Sequence, residues 1–201
     1  MSSKSDNIFP IFEQILPREE KEKLLNQKAK VVWLTGLSGS GKTSIAINVE
    51  RQLHKEGFLT QLLDGDNIRS GINNNLGFSN EDRKENIRRI AEISKLFINC
   101  GIITINCFVS PTKEIRQRAK DIIGKQDFIE VFIDTPLEVC EKRDTKGLYK
   151  KARAGEIENF TGINAPFEAP TNALKIETVG KSIEESAKLL FDYLLPIIKK
   201  A

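Results

Sequence analysis

Short apolar runs alternate with amphipathic segments along most of the chain. The apolar runs are rich in β-branched residues and predict strands over residues 31–35, 59–63, 102–108, 128–134 and 174–178. The segments between them repeat apolar residues at helical spacing and predict helices over residues 42–56, 80–99, 112–122, 136–143 and 182–195. This alternation is typical of an α/β protein. It predicts a three-layer α/β/α fold with a five-stranded parallel sheet.

Local signals mark several of the predicted helix ends. Gly57 is expected to end the helix over residues 42–56, because glycine accepts the left-handed backbone found there. Ser79 and Asp82 are placed to form a capping box at the start of the helix over residues 80–99. A short charged helix that begins after Pro17 is expected to lie on the domain or to contact a second subunit.

Two segments fall outside the alternating pattern. Residues 1–28 are predicted to be a polar N-terminal lead-in, followed by a single domain over residues 29–201. Residues 144–173 form a long stretch without clear periodicity, which in a compact domain indicates a functional lid; a surface loop is the alternative. The basic residues of this stretch are Lys146, Lys150, Lys151 and Arg153.

Composition and charge exclude several classes of protein. The 201 residues include 31 basic and 28 acidic side chains, so the net charge of +3 gives no argument for a nucleic-acid partner. No apolar run reaches the ~20 residues of a membrane span, and the N-terminus does not resemble a signal peptide. Cys100, Cys107 and Cys140 lack metal-binding spacing and are expected to be buried free thiols. A cytoplasmic protein without a membrane partner is expected.

A phosphate-binding loop follows the first predicted strand. Its position before a helix leaves unpaired backbone N–H groups facing an anion. Lys42 is expected to reach the terminal phosphates of a nucleoside triphosphate, and the Thr43 hydroxyl a Mg²⁺ ion. A chance match in a glycine-rich turn is the alternative. The loop consists of Gly36, Leu37, Ser38, Gly39, Ser40, Gly41, Lys42 and Thr43.

Further candidate groups follow the next two strands, whose carboxyl ends should meet the phosphate loop. Asp64 is the candidate for holding Mg²⁺, and Asp66 for orienting an attacking hydroxyl and accepting its proton. Either aspartate alternatively serves only to form the turn. Val109 and Ser110 follow the third strand, where Ser110 either approaches the transferred phosphate or merely begins a turn.

Arg83 and Asn86 lie on the face that the helix over residues 80–99 is expected to bury. Buried polar groups need partners, and a bound anion would supply one; an internal ion pair is the alternative for Arg83. Phe78 and Phe167 stand in loops rather than in periodic segments. They either stack on a flat base or fill the core beneath a loop.

The motifs leave three hypotheses open. The chain lacks the motif set of protein kinases and the Asn-Lys-x-Asp of Ras-like GTPases. The residues and their spacing indicate ATP-dependent phosphoryl transfer to a small anionic acceptor. The motifs at 64–67, 77–79 and 146–153 resemble those of adenylylsulfate kinase (APS kinase), which is the first hypothesis. A kinase acting on a nucleoside, a sugar acid or a shikimate-like acceptor is the second, and a nucleotide-binding regulatory module without catalysis is the third.

Several motifs together resemble the adenylylsulfate kinase (APS kinase) family of P-loop kinases. The most specific are Asp-Gly-Asp-Asn at 64–67, Gly-Phe-Ser at 77–79 and Lys-Gly-Leu-Tyr-Lys-Lys-Ala-Arg at 146–153. The similarity covers about residues 20–180. It implies a P-loop kinase fold with a basic lid, Mg²⁺, and transfer of the ATP γ-phosphate to the 3′-hydroxyl of adenosine 5′-phosphosulfate (APS). The product would be 3′-phosphoadenosine 5′-phosphosulfate (PAPS), the activated sulfate of sulfate assimilation.

The resemblance also implies roles on the acceptor side. Arg69, Arg83 and Asn86 would bind the phosphosulfate and ribose of APS, and Phe78 and Phe167 would enclose its adenine. Family members are typically homodimers, which implies a homodimer here.

Catalytic roles are implied in the same way. Asp66 would orient the 3′-hydroxyl, and Lys146 with the basic segment after it would close as the lid. The serine that matches Ser110 is described in this family as a phosphorylated intermediate, although direct in-line transfer needs none. The chain departs from the family pattern at Thr43-Ser44, usually Ser-Thr, and at Asn164, usually Asp.

Overall fold

Five parallel strands form the centre of the protein, for which a computed structural model describes residues 7–200. The sheet order is β2-β3-β1-β4-β5, so β1 lies in the middle and pairs with β3 and β4. All five predicted strands are confirmed, with shifts of one residue at some ends. Their bounds are β1 (Val31–Thr35), β2 (Thr60–Asp64), β3 (Ile103–Cys107), β4 (Phe128–Asp134) and β5 (Leu174–Glu177).

Helices cover both faces of the sheet and confirm the predicted three-layer arrangement. The core on one face joins the sheet to α2 and α8, and the core on the other face joins it to α4 and α5. The helices of the described chain are α1 (Arg18–Leu25), α2 (Lys42–Lys55), α3 (Gly65–Ser70), α4 (Asn80–Asn99), α5 (Lys113–Ile123), α6 (Leu137–Arg143), α7 (Leu148–Arg153) and α8 (Ile183–Ile198). None of these helices is long and apolar enough to cross a membrane.

Three helical features differ from the sequence predictions. α3 and α7 were not predicted, because six residues are too few to display a helical period. α8 continues three residues beyond its predicted end and includes Pro196. The burial of Ile198 in the core accounts for this extra turn.

The predicted helix caps form, one of them incompletely. Gly57 follows α2 with φ of 87°, and its N–H donates to the carbonyl of His54. The Ser79 hydroxyl accepts from the N–H of Asp82. The Asp82 carboxylate accepts from the Ser79 hydroxyl instead of from the Ser79 backbone, so only half of the capping box is present.

α1 lies on the domain, the first of the two predicted positions. The Arg18 guanidinium donates to both oxygens of Asp127, which is 5% exposed, and to the carbonyl of Ala29. Glu22 accepts from Arg18 and from the N–H of Ala29. These contacts fix α1 at the edge where β1 and β4 begin.

Two expectations about surface and burial need correction. Residues 8–16 of the predicted polar lead-in are largely apolar, and their large side chains are 47–84% exposed; they are Ile8, Phe9, Ile11, Phe12, Ile15 and Leu16. Cys107 and Cys140 are buried free thiols as expected, but Cys100 is exposed, because it caps the end of α4 at the surface. The domain boundary near residue 28 stays a prediction.

We expect the Asp127→Asn substitution to lower the free energy of unfolding at pH 7 by about 1–3 kcal/mol, because Arg18 and Lys30 lose a buried charged acceptor. Burial favours the neutral acid, but the hydrogen bonds from these two cations outweigh it and hold the pKa of Asp127 below its usual value. The contribution is therefore present above the unfolded pKa of about 3.9 and is lost as pH falls through the folded pKa.

Urea unfolding of both proteins at pH 7 and at pH values below about 4 measures this difference. The difference in free energy of unfolding between wild type and Asp127→Asn should become smaller at the acidic pH values. Asp192→Asn is the control, because that carboxylate pairs with Lys188 on the exposed face of α8. A gap for Asp127→Asn that stays constant with pH would contradict the ionic role.

Candidate active site

The phosphate-binding loop adopts a conformation that glycine makes possible. Gly36, Gly39 and Gly41 have φ of 149°, 73° and 107°. A Cβ at Gly36 would lie 2.6 Å from the carbonyl oxygen of Ile133, and one at Gly39 would lie 3.1 Å from that of Cys140. The loop therefore packs directly against the end of β4 and against α6, and a side chain at Gly36 or Gly39 would require a shift.

The Lys42 side chain lies inside the loop. Its ammonium donates to the carbonyl oxygens of Gly36 at 2.9 Å and Leu37 at 2.7 Å, and it is 8% exposed. Burial lowers the pKa of Lys42 to about 8 because the charged form loses water. An anionic phosphate beside the ammonium would favour the charged form again, so this pocket suits a polyanion.

Side chains from later elements bind the backbone of the loop from outside. The Thr135 hydroxyl donates to the carbonyl of Ser40 at 2.9 Å, and the Tyr149 hydroxyl donates to that of Ser38 at 2.8 Å. The Arg143 guanidinium donates to the carbonyl of Gly39 at 3.2 Å. Sequence reasoning missed Arg143 and Tyr149. Tyr149 lies within the basic 146–153 motif and Arg143 lies shortly before it, and the sequence offered no other signal for either residue.

Thr43 and Asp64 form a pair suited to magnesium. The Thr43 hydroxyl donates to the Asp64 carboxylate at 2.7 Å, and this carboxylate also caps α3. Hydroxyl and carboxylate oxygens are hard ligands, and Mg²⁺ in nucleotide sites needs only one or two of them beside phosphates and waters. Within residues 7–200 no cluster of three or more acidic, histidine or cysteine ligands occurs.

Asp66 and Lys146 connect α3 to the segment over residues 144–173. Asp66 is exposed in the first turn of α3, and its carboxylate accepts from the Lys146 ammonium. The segment over residues 144–173 therefore contacts α3 through this ion pair, and its role as a lid stays a prediction. Sequence reasoning singled out both residues but did not predict that they pair.

Arg69, Phe78 and Arg83 form a cluster at the mouth of the site. The Arg69 guanidinium lies 4.4 Å from the centre of the Phe78 ring, and that of Arg83 lies 5.9 Å from it. Phe78 is 63% exposed, so filling the core is not its role. Burial, and after it repulsion from Arg69, lowers the pKa of Arg83. Two adjacent cations beside an exposed aromatic ring suit an anion attached to a flat base.

The hydrogen-bond partners of Arg83 and Asn86 are uncharged groups of the protein. Arg83 donates to the carbonyls of Phe78 and Asn159 and to the hydroxyl of Thr161, so within the described residues its partners are uncharged. The alternative of an internal ion pair is wrong. Asn86 is buried, and its carbonyl oxygen accepts from the Asn73 amide at 2.9 Å. Asn86 thus anchors the loop before α4, and sequence reasoning missed Asn73.

Val109 and Ser110 connect β3 to the centre of the sheet. The Val109 carbonyl accepts from the Thr35 hydroxyl at 2.6 Å. Ser110 is 2% exposed with φ of 44°, and its hydroxyl accepts from the indole N–H of Trp33 at 3.0 Å. Phe167 is half-buried and stacks on Phe132, with ring centres 5.7 Å apart. These residues lie on rigid supports rather than on free loops.

Comparisons with known proteins match this arrangement to one family. The profile of the family described as adenylylsulphate kinase matches residues 28–177. An adenylyl-sulfate kinase of Bacteroides thetaiotaomicron is 62% identical over 97% of this chain and 98% of the relative. One from Clostridium acetobutylicum is 53% identical over 89% of this chain and 90% of the relative.

A solved structure gives the same result. The Mycobacterium tuberculosis APS kinase CysC, in complex with AMPPNP and APS, superposes with a TM-score of 0.80 at 48% identity. The match covers 83% of this chain and 98% of that one. The chain belongs to the adenylylsulphate kinase family.

Membership of the adenylylsulphate kinase family confirms the P-loop kinase fold and the adenylyl-sulfate kinase activity predicted from the motifs. It also makes the protein a nucleotide-dependent enzyme, which excludes the regulatory module without catalysis. The roles assigned to individual site residues stay predictions.

Asn164, where the adenylylsulphate kinase family usually has Asp, fits a local turn of the lid. Its carbonyl oxygen accepts from the N–H of Phe160, and its amide donates to the carbonyl of Ile157 at 3.1 Å. A carboxylate could make the first bond but has no proton for the second. The departure therefore adds a hydrogen bond to the turn and leaves the lid in place.

We expect Gly36→Ala to weaken binding of a non-hydrolysable ATP analogue by at least about tenfold, because the added Cβ displaces the loop from the Ile133 carbonyl. Isothermal titration calorimetry measures this. Gly180→Ala is the matched control, since Gly180 also has positive φ but a Cβ there would have no neighbour within 4 Å. Equal affinity in the two variants would show that the close approach is irrelevant.

Proposed function

We propose that the protein transfers the γ-phosphate of ATP to the 3′-hydroxyl of APS and so produces PAPS and ADP for sulfate assimilation. One observation carries this proposal: the short helix α3 links the phosphate loop to the cluster of Arg69, Phe78 and Arg83. Its cap residue Asp64 accepts from the Thr43 hydroxyl of the loop, its first turn carries Asp66, and its Arg69 lies over the Phe78 ring. A donor bound at the loop and an acceptor bound at the cluster would meet at Asp66.

The donor side would hold ATP with Mg²⁺. Backbone N–H groups of the glycine loop and the Lys42 ammonium would bind the phosphates, and Lys42 would leave its carbonyl partners to do so. Thr43 and Asp64 would contribute oxygen ligands to Mg²⁺, which bridges the phosphates and neutralises charge during transfer. The nucleotide side thus supplies position and positive charge.

On the acceptor side Asp66 would accept the proton of the attacking hydroxyl. Its carboxylate is paired with Lys146 in the present structure, and this pair supports a role for Lys146 beside the transferred phosphate. Binding of both substrates would give Lys146 a phosphate partner and free Asp66 for the hydroxyl. The result is an in-line transfer in which the protein contributes orientation and electrostatic stabilisation.

The acceptor itself would be held by charge and by stacking. Arg69 and Arg83 offer guanidinium groups to the phosphosulfate, and the rings of Phe78 and Phe167 would enclose the adenine. Asn86 would bind the ribose through its side-chain NH₂ group, because its bond to Asn73 uses only the side-chain oxygen. Ser110 would remain unmodified, because its hydroxyl is buried against Trp33 and direct transfer needs no covalent intermediate.

We also propose that the enzyme works as a homodimer in the cytoplasm. The exposed apolar segment over residues 8–16 supports a partner surface, since such a run in water is unfavourable. The free thiols of Cys100, Cys107 and Cys140 suit a reducing compartment.

An acceptor screen tests the proposed reaction. The protein is incubated with ATP, Mg²⁺ and, separately, APS, a nucleoside, a sugar acid or shikimate, and each product is identified by its mass. We expect only APS to gain a phosphate. Turnover of another acceptor with none of APS would replace this proposal by the second hypothesis of the sequence analysis.

Asp66→Asn is expected to lower kcat by about 10²–10⁴-fold, because the amide cannot accept the hydroxyl proton. The ATP-analogue affinity should change little, since Asp66 lies beyond the Thr43–Asp64 pair. Steady-state kinetics and calorimetry measure the two quantities. Asp192→Asn on the far surface serves as control, and a variant with normal kcat would remove the assigned role.

Phe78→Ala should weaken APS binding by about 1–3 kcal/mol if the exposed ring stacks on adenine. The melting temperature should stay near that of the wild type because the ring covers little core. Leu96→Ala is the matched control, because it removes a similarly exposed apolar side chain, which lies on α4. A loss of stability without a change in APS affinity would favour a packing role instead.

A further inference from the structure

Arg116 is a buried cation that joins three separate parts of the chain. The side chain extends from α5 and is 3% exposed. Its guanidinium donates to the Glu130 carboxylate on β4 at 2.8 Å, to the Ser110 carbonyl at 2.8 Å and to the Glu168 carbonyl at 2.7 Å. The planar fork of arginine makes all three bonds at once, which lysine cannot do.

Glu168 makes two further hydrogen bonds to the region between β3 and α5. Its backbone N–H donates to the Pro111 carbonyl at 2.8 Å. Its carboxylate accepts from the N–H of Lys113 at 2.6 Å, at the first residue of α5. An anion at a helix N-terminus is stabilised there by the unpaired N–H groups and by the helix dipole. The segment around Glu168 is therefore bound to the loop after β3 at both its backbone and its side chain.

These bonds hold the two residues that stand on the acceptor side of the site. Phe167 directly precedes Glu168, and its ring centre lies 6.0 Å from the Arg116 guanidinium and 5.7 Å from the Phe132 ring. Ser110 has a left-handed backbone, which is unfavourable for serine unless its surroundings fix it. Its carbonyl is bound by Arg116 and its hydroxyl by Trp33.

We propose that Arg116 and Glu168 are positioning residues that set the affinity for the acceptor by locking Phe167 and Ser110 in place. Neither would touch the acceptor. The donor side would be indifferent to both, because none of their hydrogen bonds ends at the phosphate loop or at the Thr43–Asp64 pair. This inference rests on the proposed function, in which Phe167 contacts the acceptor base. It adds a hydrogen-bond network centred on the buried Arg116 to the residues that the motifs single out.

Glu168→Ala is the first test. It removes the bond to Lys113 on an exposed carboxylate, so the fold should persist. We expect KM for APS to rise about fivefold, the usual effect of one lost hydrogen bond, with KM for ATP unchanged. Glu185→Ala is a matched control, because Glu185 likewise accepts from a backbone N–H at the start of a helix, α8.

Both glutamate variants should lose a similar small amount of thermal stability, and only Glu168→Ala should change KM for APS. A rise in KM for both substrates, or an equal rise in the Glu185 variant, would reduce Glu168 to a structural role and overturn the proposal. Unchanged KM for APS in Glu168→Ala would overturn it as well.

Arg116→Lys is the second test and has an optical readout. It keeps a cation beside Glu130 but gives up the fork that reaches both carbonyls. Trp33 is the single tryptophan of the chain, and its indole N–H is bonded to Ser110. We expect a shifted Trp33 emission in the ligand-free protein together with a larger rise in KM for APS than Glu168→Ala produces. Unchanged emission and KM would contradict the proposal.

The outcomes separate this inference from the proposed function. If the wild type does not phosphorylate APS, the proposed function fails, whatever the emission of the variants shows. If the wild type phosphorylates APS and both variants keep its KM, the proposed function stands and the positioning role fails. Should Arg116→Lys not fold, Glu168→Ala and its matched control still decide the question.

Discussion

Direct packing of the phosphate loop against backbone is the constraint on which the rest of the site depends. The loop approaches the carbonyls of Ile133 and Cys140 so closely that a Cβ would not fit at Gly36 without a shift. Thr135, Arg143 and Tyr149 then occupy loop carbonyls from outside. These bonds occupy the carbonyls of the loop, and backbone N–H groups at the start of α2 would bind an anion there. Thr43 is the last residue of the loop, so the packing of the loop also positions the Thr43 hydroxyl against Asp64.

The side proposed to bind the acceptor is built by a different principle. Its residues come from α3, the start of α4, the loop after β3 and the segment over residues 144–173, and no ladder of the described sheet joins these parts to one another. Charged side chains fix these segments instead, since Arg83 binds the lid backbone at Asn159, Lys146 pairs with Asp66, and Arg116 joins Ser110 to Glu168. The proposed donor half therefore combines close backbone packing with side-chain bonds to loop carbonyls, while the proposed acceptor half is held mainly by side-chain bonds between distant segments.

Sequence reasoning succeeded where a signal is local and repeated. The burial of all five β1 residues appears in the chain as a continuous apolar run, and α4 appears as apolar residues at helical spacing. It failed for α3 and α7, whose six residues are shorter than two helical turns. Sequence reasoning was also wrong to describe residues 8–16 as polar. This segment is largely apolar, and its large side chains are exposed.

The sequence by itself determined the layers of the fold, the phosphate loop and the family, because these depend on contiguous residues and on fixed spacings. Tertiary structure decided the partners: Asn86 binds Asn73, Asp66 binds Lys146, and Arg116 spans three elements. A side chain's type states which bonds it is able to make. Only folding decides which distant group it meets, because residues as far apart along the chain as Asp66 and Lys146, 80 positions, become neighbours at the edge of one sheet.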